Sequence, residues 1–212
     1  MMNIFLFGAS GATGAEVLTL LLSKAHHVRV LVRTPERFNY PSSKNLTVIK
    51  GDVTVIGTFE HALADIDVVI STLGTGTNRK PTNVYSVGGQ NIINAMHAKG
   101  VTKLIILTAA AFDLTDPGND NFIVRFIVRP LFKNIYSDMI LFEQLLNKNL
   151  DIDWVCIRPT RLTSKSYTGK YRISLNHSRK GGNTIGRKDL ADFIVKEIQS
   201  NEYIHLKPVI AY

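Results

Sequence analysis

The sequence predicts an α/β fold in which a single domain, residues 1–212, holds a doubly wound, mainly parallel sheet with helices on both faces. Two observations lead to this prediction. Short apolar runs rich in Val and Ile recur along the chain, and their continuous apolar character is typical of strands that are covered on both faces. Amphipathic helical patterns separate these runs, and the repeated order of strand, helix, strand favours parallel pairing through right-handed crossovers.

Six buried strands are predicted from the apolar runs. They cover residues 3–7, 28–32, 46–50, 67–71, 103–107 and 154–157. Segment 169–190 is predicted as a hairpin followed by a helix, with an added strand in "TGKYRIS" at 168–174. The stretch "DLTDPGNDN", residues 113–121, has the composition of a loop.

Four helices are predicted from apolar residues that recur at helical spacing. They cover residues 12–24, 83–99, 137–147 and 188–199. In the third of them, Met139, Phe142 and Leu146 share one face, which is typical of a helix that packs on a core. Gly100 follows the basic turn "HAK" and marks the end of the second helix.

The composition is that of an ordinary globular protein with a net charge of +8. The basic residues are dispersed, and one cysteine with six scattered histidines gives no zinc-ligand spacing, so we expect neither nucleic-acid binding nor a metal site. Because Cys156 is the only cysteine, an internal disulfide is excluded. No apolar run approaches the roughly 20 residues that cross a bilayer, and no basic region precedes the first run, so we expect a cytoplasmic protein.

A cluster of glycines directly follows the first predicted strand and opens the first predicted helix. In "GASGATG", Gly8 permits a tight turn, Gly11 permits close approach of a pyrophosphate, and Gly14 permits the helix to pack on the sheet. The N–H groups at the helix start would then bind phosphate oxygens. This order favours a Rossmann-type dinucleotide site over a glycine-rich turn without a ligand. The predicted contacts are Gly8, Ser10, Gly11, Ala12, Thr13 and Gly14.

The end of the second strand indicates which dinucleotide is bound. An acidic residue at this place would accept a hydrogen bond from the ribose 2′-hydroxyl of NAD and would repel the 2′-phosphate of NADP. The sequence instead has Arg33 there, with Thr34 and Arg37 close by. Because a guanidinium pairs well with a phosphate, the sequence predicts NADP as cofactor, with NADPH preferred over NADH. A solvated arginine at a strand end is the alternative interpretation.

Several stretches of the sequence resemble the atypical short-chain dehydrogenase/reductase proteins of the NmrA-like, NAD(P)-binding group. These stretches are "GASGATG", "VLVRTPERF", "GDVT" at 51–54, the block 71–112, "WVCIRPTRLT" and "GRKDLADFIV" at 186–195. The resemblance runs nearly end to end, is most specific in the central block, and includes the biliverdin-IXβ and NADPH flavin reductases of that group.

The resemblance implies further cofactor contacts at the ends of the third to sixth strands. The implied residues are Asp52 and Val53 at the adenine, Leu73 and Gly74 under the ribose and pyrophosphate, Thr108 and Ala109 beside the nicotinamide, and Pro159, Thr160 and Arg161 at the nicotinamide end. Each stretch also has a simpler interpretation, since "GDVT" could be only a turn and "RPT" only a strand end.

The usual reaction centre of the dehydrogenase family is altered in this sequence. That centre is a tyrosine with a lysine four residues later, plus a serine, and the lysine lowers the pKa of the tyrosine. The candidate tyrosine is Tyr136, but Ile140 stands four residues later. Ala109 occupies the place of the serine in the biliverdin and flavin reductases, and Thr108 supplies the neighbouring hydroxyl. Thr108 and Tyr136 are thus the candidate catalytic residues, and alcohol–ketone chemistry through a tyrosine–lysine pair is not expected.

Hydride transfer to a flavin, a quinone or a biliverdin-like molecule needs no such pair, because the acceptor is electron-poor and water can deliver the proton. The predicted function is therefore NADPH-dependent reduction of such a small-molecule electron acceptor, with FMN or FAD among the candidate substrates. This chemistry needs an apolar pocket over the nicotinamide, and Phe112 and Phe126 are its predicted walls.

Two other functions stay open. An NmrA-like redox sensor would bind NADP(H) without turnover and regulate a protein partner, and it too would lack the lysine and the serine. A nucleotide-sugar epimerase or dehydratase fits less well, because those relatives carry a large substrate domain for which this chain is short.

Segment 122–135 has three interpretations. Its aromatic residues Phe122 and Phe126 and its basic residues Arg125, Arg129 and Lys133 each recur at helical spacing. The segment could be a surface helix packed on the core, a lid over the acceptor, or a basic amphipathic helix on a membrane surface or a partner protein.

Overall fold

A computed structural model of the chain describes residues 1–40, 43–76, 78–113, 122, 124–175 and 182–212. Within these ranges the strands form a large sheet in the order β3-β2-β1-β4-β5-β6-β10-β8 and a small sheet of β7 and β9. The strands are β1 (Asn3–Phe7), β2 (His27–Val32), β3 (Leu46–Lys50), β4 (Val68–Ser71), β5 (Lys103–Leu107), β6 (Asp153–Pro159), β7 (Arg161–Thr163), β8 (Arg172–Ser174), β9 (Thr184–Gly186) and β10 (Val209–Ala211).

The large sheet is parallel from β3 through to β10, and its described edge strand β8 pairs antiparallel with β10. The strand order reverses at β1, which lies between β2 and β4, so the carboxyl end of β1 is the topological switch point at which such sheets bind ligands. This arrangement confirms the predicted doubly wound, mainly parallel sheet.

The helices cover both faces of the sheet. They are α1 (Ala12–Ser23), α2 (Ser86–Lys99), the short α3 (Arg129–Leu131), α4 (Lys133–Leu146) and α5 (Arg187–Glu197). Helices α1 and α5 pack together on one face, and α2 and α4 pack together on the other. The four predicted helices are therefore confirmed, and the third begins four residues earlier than the pattern at 137–147 indicates.

Alternate residues of each central strand supply two separate cores. In β1, Ile4 and Leu6 face α1 and α5, whereas Phe5 and Phe7 face α2 and α4, and all four side chains are fully buried. Burying each of these side chains contributes about 2 kcal/mol of transfer free energy. Since both faces are covered, the strand needs apolar residues at every position, which explains the uninterrupted apolar runs of the sequence.

The predicted hairpin in segment 169–190 is wrong. Strand β8 pairs with β10 and strand β9 pairs with β7, so the two described strands of this segment do not pair with each other. Residues 176–181, where the turn was predicted, lie outside the described residues. Strand β10 has only three residues, too few to show a periodicity, and for this reason its pairing with β8 and β6 could not be anticipated.

The segment before α4 differs from a regular helix. Val124–Val128 forms a single π-helical turn that continues into α3, and Phe132 then leaves helical geometry before α4 begins. Pro130 lies in α3 and cannot donate the backbone hydrogen bond that would carry one helix through this region. No helix among the described residues is long and apolar enough to cross a membrane.

Candidate functional site: a dinucleotide cradle beside a buried charge cluster

The candidate site lies at the carboxyl ends of β1 to β6. The turn after β1 is held against the turn after β4, because the backbone N–H and the hydroxyl of Thr72 both donate to the carbonyl oxygen of Phe7 at 3.0 Å. Gly8 then takes a left-handed conformation with φ of 82°. These contacts hold the turn on the sheet, with Ala9 buried and the next residues, Ser10 to Ala12, exposed.

The glycines after β1 stand where a side chain would collide with backbone. A Cβ atom on Gly8 would lie 2.6 Å from the carbonyl oxygen of Thr72, and one on Gly14 would lie 2.1 Å from the carbonyl oxygen of Gly8. Gly11 has more room, since its Cβ would lie 3.3 Å from the same oxygen. Gly8 and Gly14 are therefore required by the close packing of this turn on the sheet and on α1.

The start of α1 is open to a ligand. Gly11 is its N-cap and supplies no side-chain hydrogen bond to the first turn, and that turn carries no acidic residue. Ser10, Gly11 and Ala12 are exposed, and Thr13 is half-buried. Backbone N–H groups of a first turn without a side-chain cap are the donors that bind phosphate, so the predicted cradle has the form that a pyrophosphate needs.

The neighbouring strand ends bring a cation beside the cradle. Arg33, Thr34 and Arg37 are exposed after β2, and Asp52 follows β3. Burial alone would raise the pKa of Asp52, but the hydrogen bonds from the backbone and the hydroxyl of Thr54, together with the positive charge of Arg33, lower it. The Asp52 carboxylate therefore stays ionised near Arg33, whose own side chain is exposed.

The next three predicted contacts, Val53, Leu73 and Gly74, follow the carboxyl ends of β3 and β4. Val53 is buried, and its side chain would lie 2.9 Å from a Cβ atom on Gly88, so α2 packs tightly over it. After β4, Leu73 is half-buried and Gly74 is exposed. These positions continue the same edge from the end of β3 to the end of β4.

The buried carboxylate of Asp138 caps the amino-terminal end of α2. Asp138 of α4 accepts hydrogen bonds from the backbone N–H groups of Tyr85 at 2.8 Å and Ser86 at 3.1 Å, at the start of α2. The carboxylate is only 3% exposed, and the positive end of the helix dipole compensates its charge. Sequence reasoning missed this contact, although an acidic residue beside Met139 on the apolar face of α4 was a readable signal.

The end of β5 faces inward to a buried charge cluster. Thr108 is 6% exposed, and its hydroxyl donates to Glu143 Oε1 at 2.9 Å. Glu143 also accepts from Arg158 Nε at 3.0 Å and pairs with Lys207 Nζ at 3.1 Å. Arg158 pairs in turn with Asp113 at 2.7 Å. The Thr108 hydroxyl is therefore already bonded within the protein, while Ala109 beside it is half-buried.

The cluster keeps its central carboxylate ionised. Burial alone would raise the pKa of Glu143, but the hydrogen bonds and charges of Arg158, followed by those of Lys207, lower it below its usual value. The sequence offered two signals that were overlooked: a glutamate within the apolar face of α4, and an arginine at the end of the apolar run of β6.

The two predicted pocket residues are placed differently. Phe112 is buried beneath the guanidinium of Arg158, 5.3 Å from its ring centre, and it lines a pocket of about 270 Å³ together with Arg158 and Lys207. Phe126 is 57% exposed and its ring is tilted against that of Phe122, with 4.8 Å between the ring centres. The structure therefore brings Phe112 to the end of β5 and leaves Phe126 at the surface.

Tyr136 lies between aromatic rings. Its ring centre is 6.0 Å from that of Phe112 and 5.9 Å from that of Phe132. Burial raises the pKa of Tyr136, although the charge of Arg129 partly opposes this. A phenol with a raised pKa is a weak proton donor near neutral pH, and little of its basic phenolate form is present there.

The remaining predicted contacts follow β6. Pro159 is buried and is aligned with Ile210 of β10, and the backbone N–H of Thr160 donates to the carbonyl oxygen of Ile210 at 3.2 Å. Arg161 is exposed. Together with the groups above, these residues complete one continuous edge that runs along the carboxyl ends of six neighbouring parallel strands.

Comparison with known proteins identifies the family of the chain that carries this site. A family model described as NAD(P)H-binding matches residues 8–201, a range that begins at the first glycine of the cradle. The chain belongs to this NAD(P)H-binding family. The match agrees with the resemblance to the NmrA-like, short-chain dehydrogenase/reductase group, whereas the likeness to biliverdin and flavin reductases stays a prediction.

Individual relatives of this NAD(P)H-binding protein cover nearly its whole length. A UPF0659 protein of Schizosaccharomyces pombe is 24% identical over 228 residues, covering 97% of this chain and 88% of its own. The oxidoreductase ylbE of Lactococcus lactis has a TM-score of 0.83 and 21% identity, over 99% of this chain and 90% of that one. A short-chain dehydrogenase/reductase of Veillonella parvula, solved in complex with NADP, has a TM-score of 0.84 and 15% identity, over 100% and 94%.

Proposed function

We propose that this protein is an NADPH-dependent reductase that passes a hydride to an electron-poor small molecule such as a flavin, a quinone or a biliverdin-like compound. One observation carries the proposal: a glycine cradle at the switch point, closed to side chains at Gly8 and Gly14, lies beside the cation Arg33 at the end of β2. Membership of the NAD(P)H-binding family supports the cofactor class.

The residues of the cradle fit the cofactor. The N–H groups after Gly11 and the hydroxyls of Ser10 and Thr13 would hold the pyrophosphate, and Arg33 with Arg37 would hold the 2′-phosphate. Bound NADPH would supply the hydride. A favourable guanidinium–phosphate pair is the reason that we expect NADPH to bind more tightly than NADH.

The possible proton donors of the site support an acceptor that is electron-poor and needs no protein acid. Tyr136 has a raised pKa and Ile140 in the place of its lysine, and Ala109 stands where the serine would be. The hydroxyl of Thr108 donates to Glu143, so its proton is not directed to a substrate. The protein would therefore act by holding the cofactor and the acceptor together, and the acceptor would take its proton from solvent.

Turnover of NADPH with defined acceptors tests this proposal. The purified protein should consume NADPH steadily with FMN or menadione, at a rate well above that of the two small molecules alone. Gly14→Ala should abolish the turnover, because its Cβ would collide with the carbonyl oxygen of Gly8. Steady turnover that survives this substitution would mean that the cradle is not the cofactor site.

A redox sensor of the NmrA-like type is the second candidate. The absence of the lysine and the serine, with Ile140 and Ala109 in their places, favours this candidate. A protein that only binds NADP(H) needs neither a tyrosine–lysine pair nor a serine. A sensor would bind NADPH in a titration and would show no turnover with flavins or quinones. Tight binding of NADPH without turnover would therefore rule out the reductase function and support the sensor function.

A further inference from the structure

The segment between β5 and α4 exposes a large apolar surface. Phe122 is 71% exposed, Phe126 57%, Ile127 54% and Leu131 41%. The rings of Phe122 and Phe126 contact each other at the surface in a tilted arrangement. Apolar groups that lie together in this way are costly to keep in water, and such patches mark contact sites.

Basic side chains accompany these apolar groups. Arg125 lies over the ring of Phe126, 5.5 Å from its centre, and no Asp or Glu occurs between residues 122 and 135. A loop contributes a further cation, because Arg79 lies over the ring of Phe132 at 5.4 Å and its carbonyl oxygen accepts from Asn134 at 3.1 Å. We call this region the basic aromatic surface; it comprises the exposed residues Arg79, Phe122, Phe126, Ile127, Leu131 and Lys133.

The basic aromatic surface is fixed to the body of the protein. Arg129 Nη2 donates to the carbonyl oxygen of Asp113 at 3.4 Å, and the ring of Phe132 packs on Tyr136. Its apolar groups are thus presented outward by a segment that is held at both the β5 end and the α4 end.

The charge of this surface decides which occupant suits it. A two-fold contact with a second copy would place these cations opposite the same cations, and like charges at close range repel. The surface of an anionic bilayer offers the opposite combination, with negative headgroups for the cations and an apolar interior for the phenylalanines. The net charge of the whole chain, +8, acts in the same direction.

We propose that the basic aromatic surface docks the protein on anionic membranes. Phe122, Phe126 and Ile127 insert at the boundary between headgroups and acyl chains, while the exposed cations Arg79 and Lys133 lie at the lipid phosphates. This is binding in the plane of the membrane surface by a short segment, and it requires no spanning helix.

Cosedimentation of the full chain with vesicles tests the proposal. The vesicles contain phosphatidylcholine alone or equal parts of phosphatidylcholine and phosphatidylserine. Phe126→Ser removes an inserted ring, and Lys133→Glu reverses a charge of the surface. Leu150→Ser and Lys188→Glu are the matched controls, because Leu150 is 61% exposed after α4 and Lys188 is exposed on α5, on the opposite face of the sheet.

The protein should bind the phosphatidylserine vesicles and not the neutral ones, and added salt should weaken the binding. Phe126→Ser should lower the affinity at least about tenfold, and Lys133→Glu by more than roughly fivefold, with both controls unchanged. Equal binding to both vesicle types, or equal loss in the controls, would overturn the proposal. So would a dimer in sedimentation that Phe126→Ser dissociates, because a second copy would then cover the surface. Circular dichroism verifies that each variant folds.

Discussion

The two halves of the carboxyl edge are built by different means. At β1 to β3 the edge is made of backbone, with glycines where no Cβ atom fits and N–H groups left open at the start of α1. At β5 and β6 it is made of buried charges, with Glu143 holding Arg158, Lys207 and Thr108 together. The first half has a geometry that any side chain would destroy, whereas the second depends on a balance of charge.

This difference teaches where each half is vulnerable. Steric exclusion fails when an atom is added, and its failure should appear in cofactor binding. A buried ionic cluster fails when an atom or a charge is removed, because the partners left behind are buried without compensation, and its failure should appear in stability. The following predictions separate the two, beginning with the largest effect.

Removing the central charge of the cluster should cost the most. Glu143→Gln leaves Arg158 and Lys207 without their shared carboxylate, and we expect a loss of about 4 kcal/mol in the free energy of unfolding. Urea denaturation measures it. Glu60→Gln is the matched control, because Glu60 pairs with Lys99 at the surface at 3.3 Å and should contribute less than about 1 kcal/mol. A loss of equal size in both variants would contradict the special role of the cluster.

Adding a methyl group to the cradle should have the next largest effect. In Gly14→Ala the new Cβ meets the carbonyl oxygen of Gly8, and we expect a cost of about 3 kcal/mol with loss of NADPH binding. Gly57→Ala provides the control, since no atom lies within 4 Å of a Cβ atom there. Thermal unfolding and a fluorescence titration with NADPH measure the two effects. Unchanged binding in Gly14→Ala would mean that the turn has more room than the structure gives it.

Reversing the charge beside the cradle should change selectivity without changing the fold. Arg33→Asp replaces the phosphate partner by a carboxylate, and we expect it to weaken NADPH binding by about 2 kcal/mol while leaving NADH binding nearly unchanged. Calorimetric titration with both cofactors measures the difference, and Lys188→Asp on α5 controls for net charge. Parallel losses for NADPH and NADH would show that Arg33 does not distinguish them.

Lowering the pH should act on the cluster with the smallest effect. Because the pKa of Glu143 is lowered in the folded protein, its stabilisation is fully present above the ordinary value of 4.5 and is lost as the pH falls through the lowered folded value. The loss from this one group is at most about 1.4 kcal/mol per pH unit. Urea midpoints of the wild type should therefore fall more steeply below pH 4.5 than those of Glu143→Gln, and parallel curves would contradict this assignment.

The same difference explains how much the sequence could reveal. The cradle was predictable because Gly8, Gly11 and Gly14 lie within seven residues, in a fixed order after a strand and before a helix. The fold was predictable because each central strand is apolar on both faces. The buried charges Glu143 and Arg158 each left a local signal, but their pairing with each other and with Lys207 was not predictable, because the three residues come together only through the sheet.

Elements that depend on distant pairing were missed for the same physical reason. Strand β10 is defined by its pairing with β6 and β8, and Asp138 of α4 caps α2 through bonds to the first residues of that helix. Strand β10 carries no local pattern that distinguishes it from a loop, and the place of Asp138 on the apolar face of α4 indicates burial but not its partner. Local chemistry therefore indicates the cofactor class, and tertiary packing determines the rest of the site.

The affinities of the wild-type protein for NADPH and NADH test the central claim most directly. In the proposed complex the glycine cradle binds the pyrophosphate and Arg33 binds the 2′-phosphate that only NADPH carries. Titrations under the same conditions should then give a dissociation constant for NADPH lower by at least about tenfold, a difference of about 1.4 kcal/mol. Equal affinities, or no binding of either cofactor by the folded protein, would contradict it.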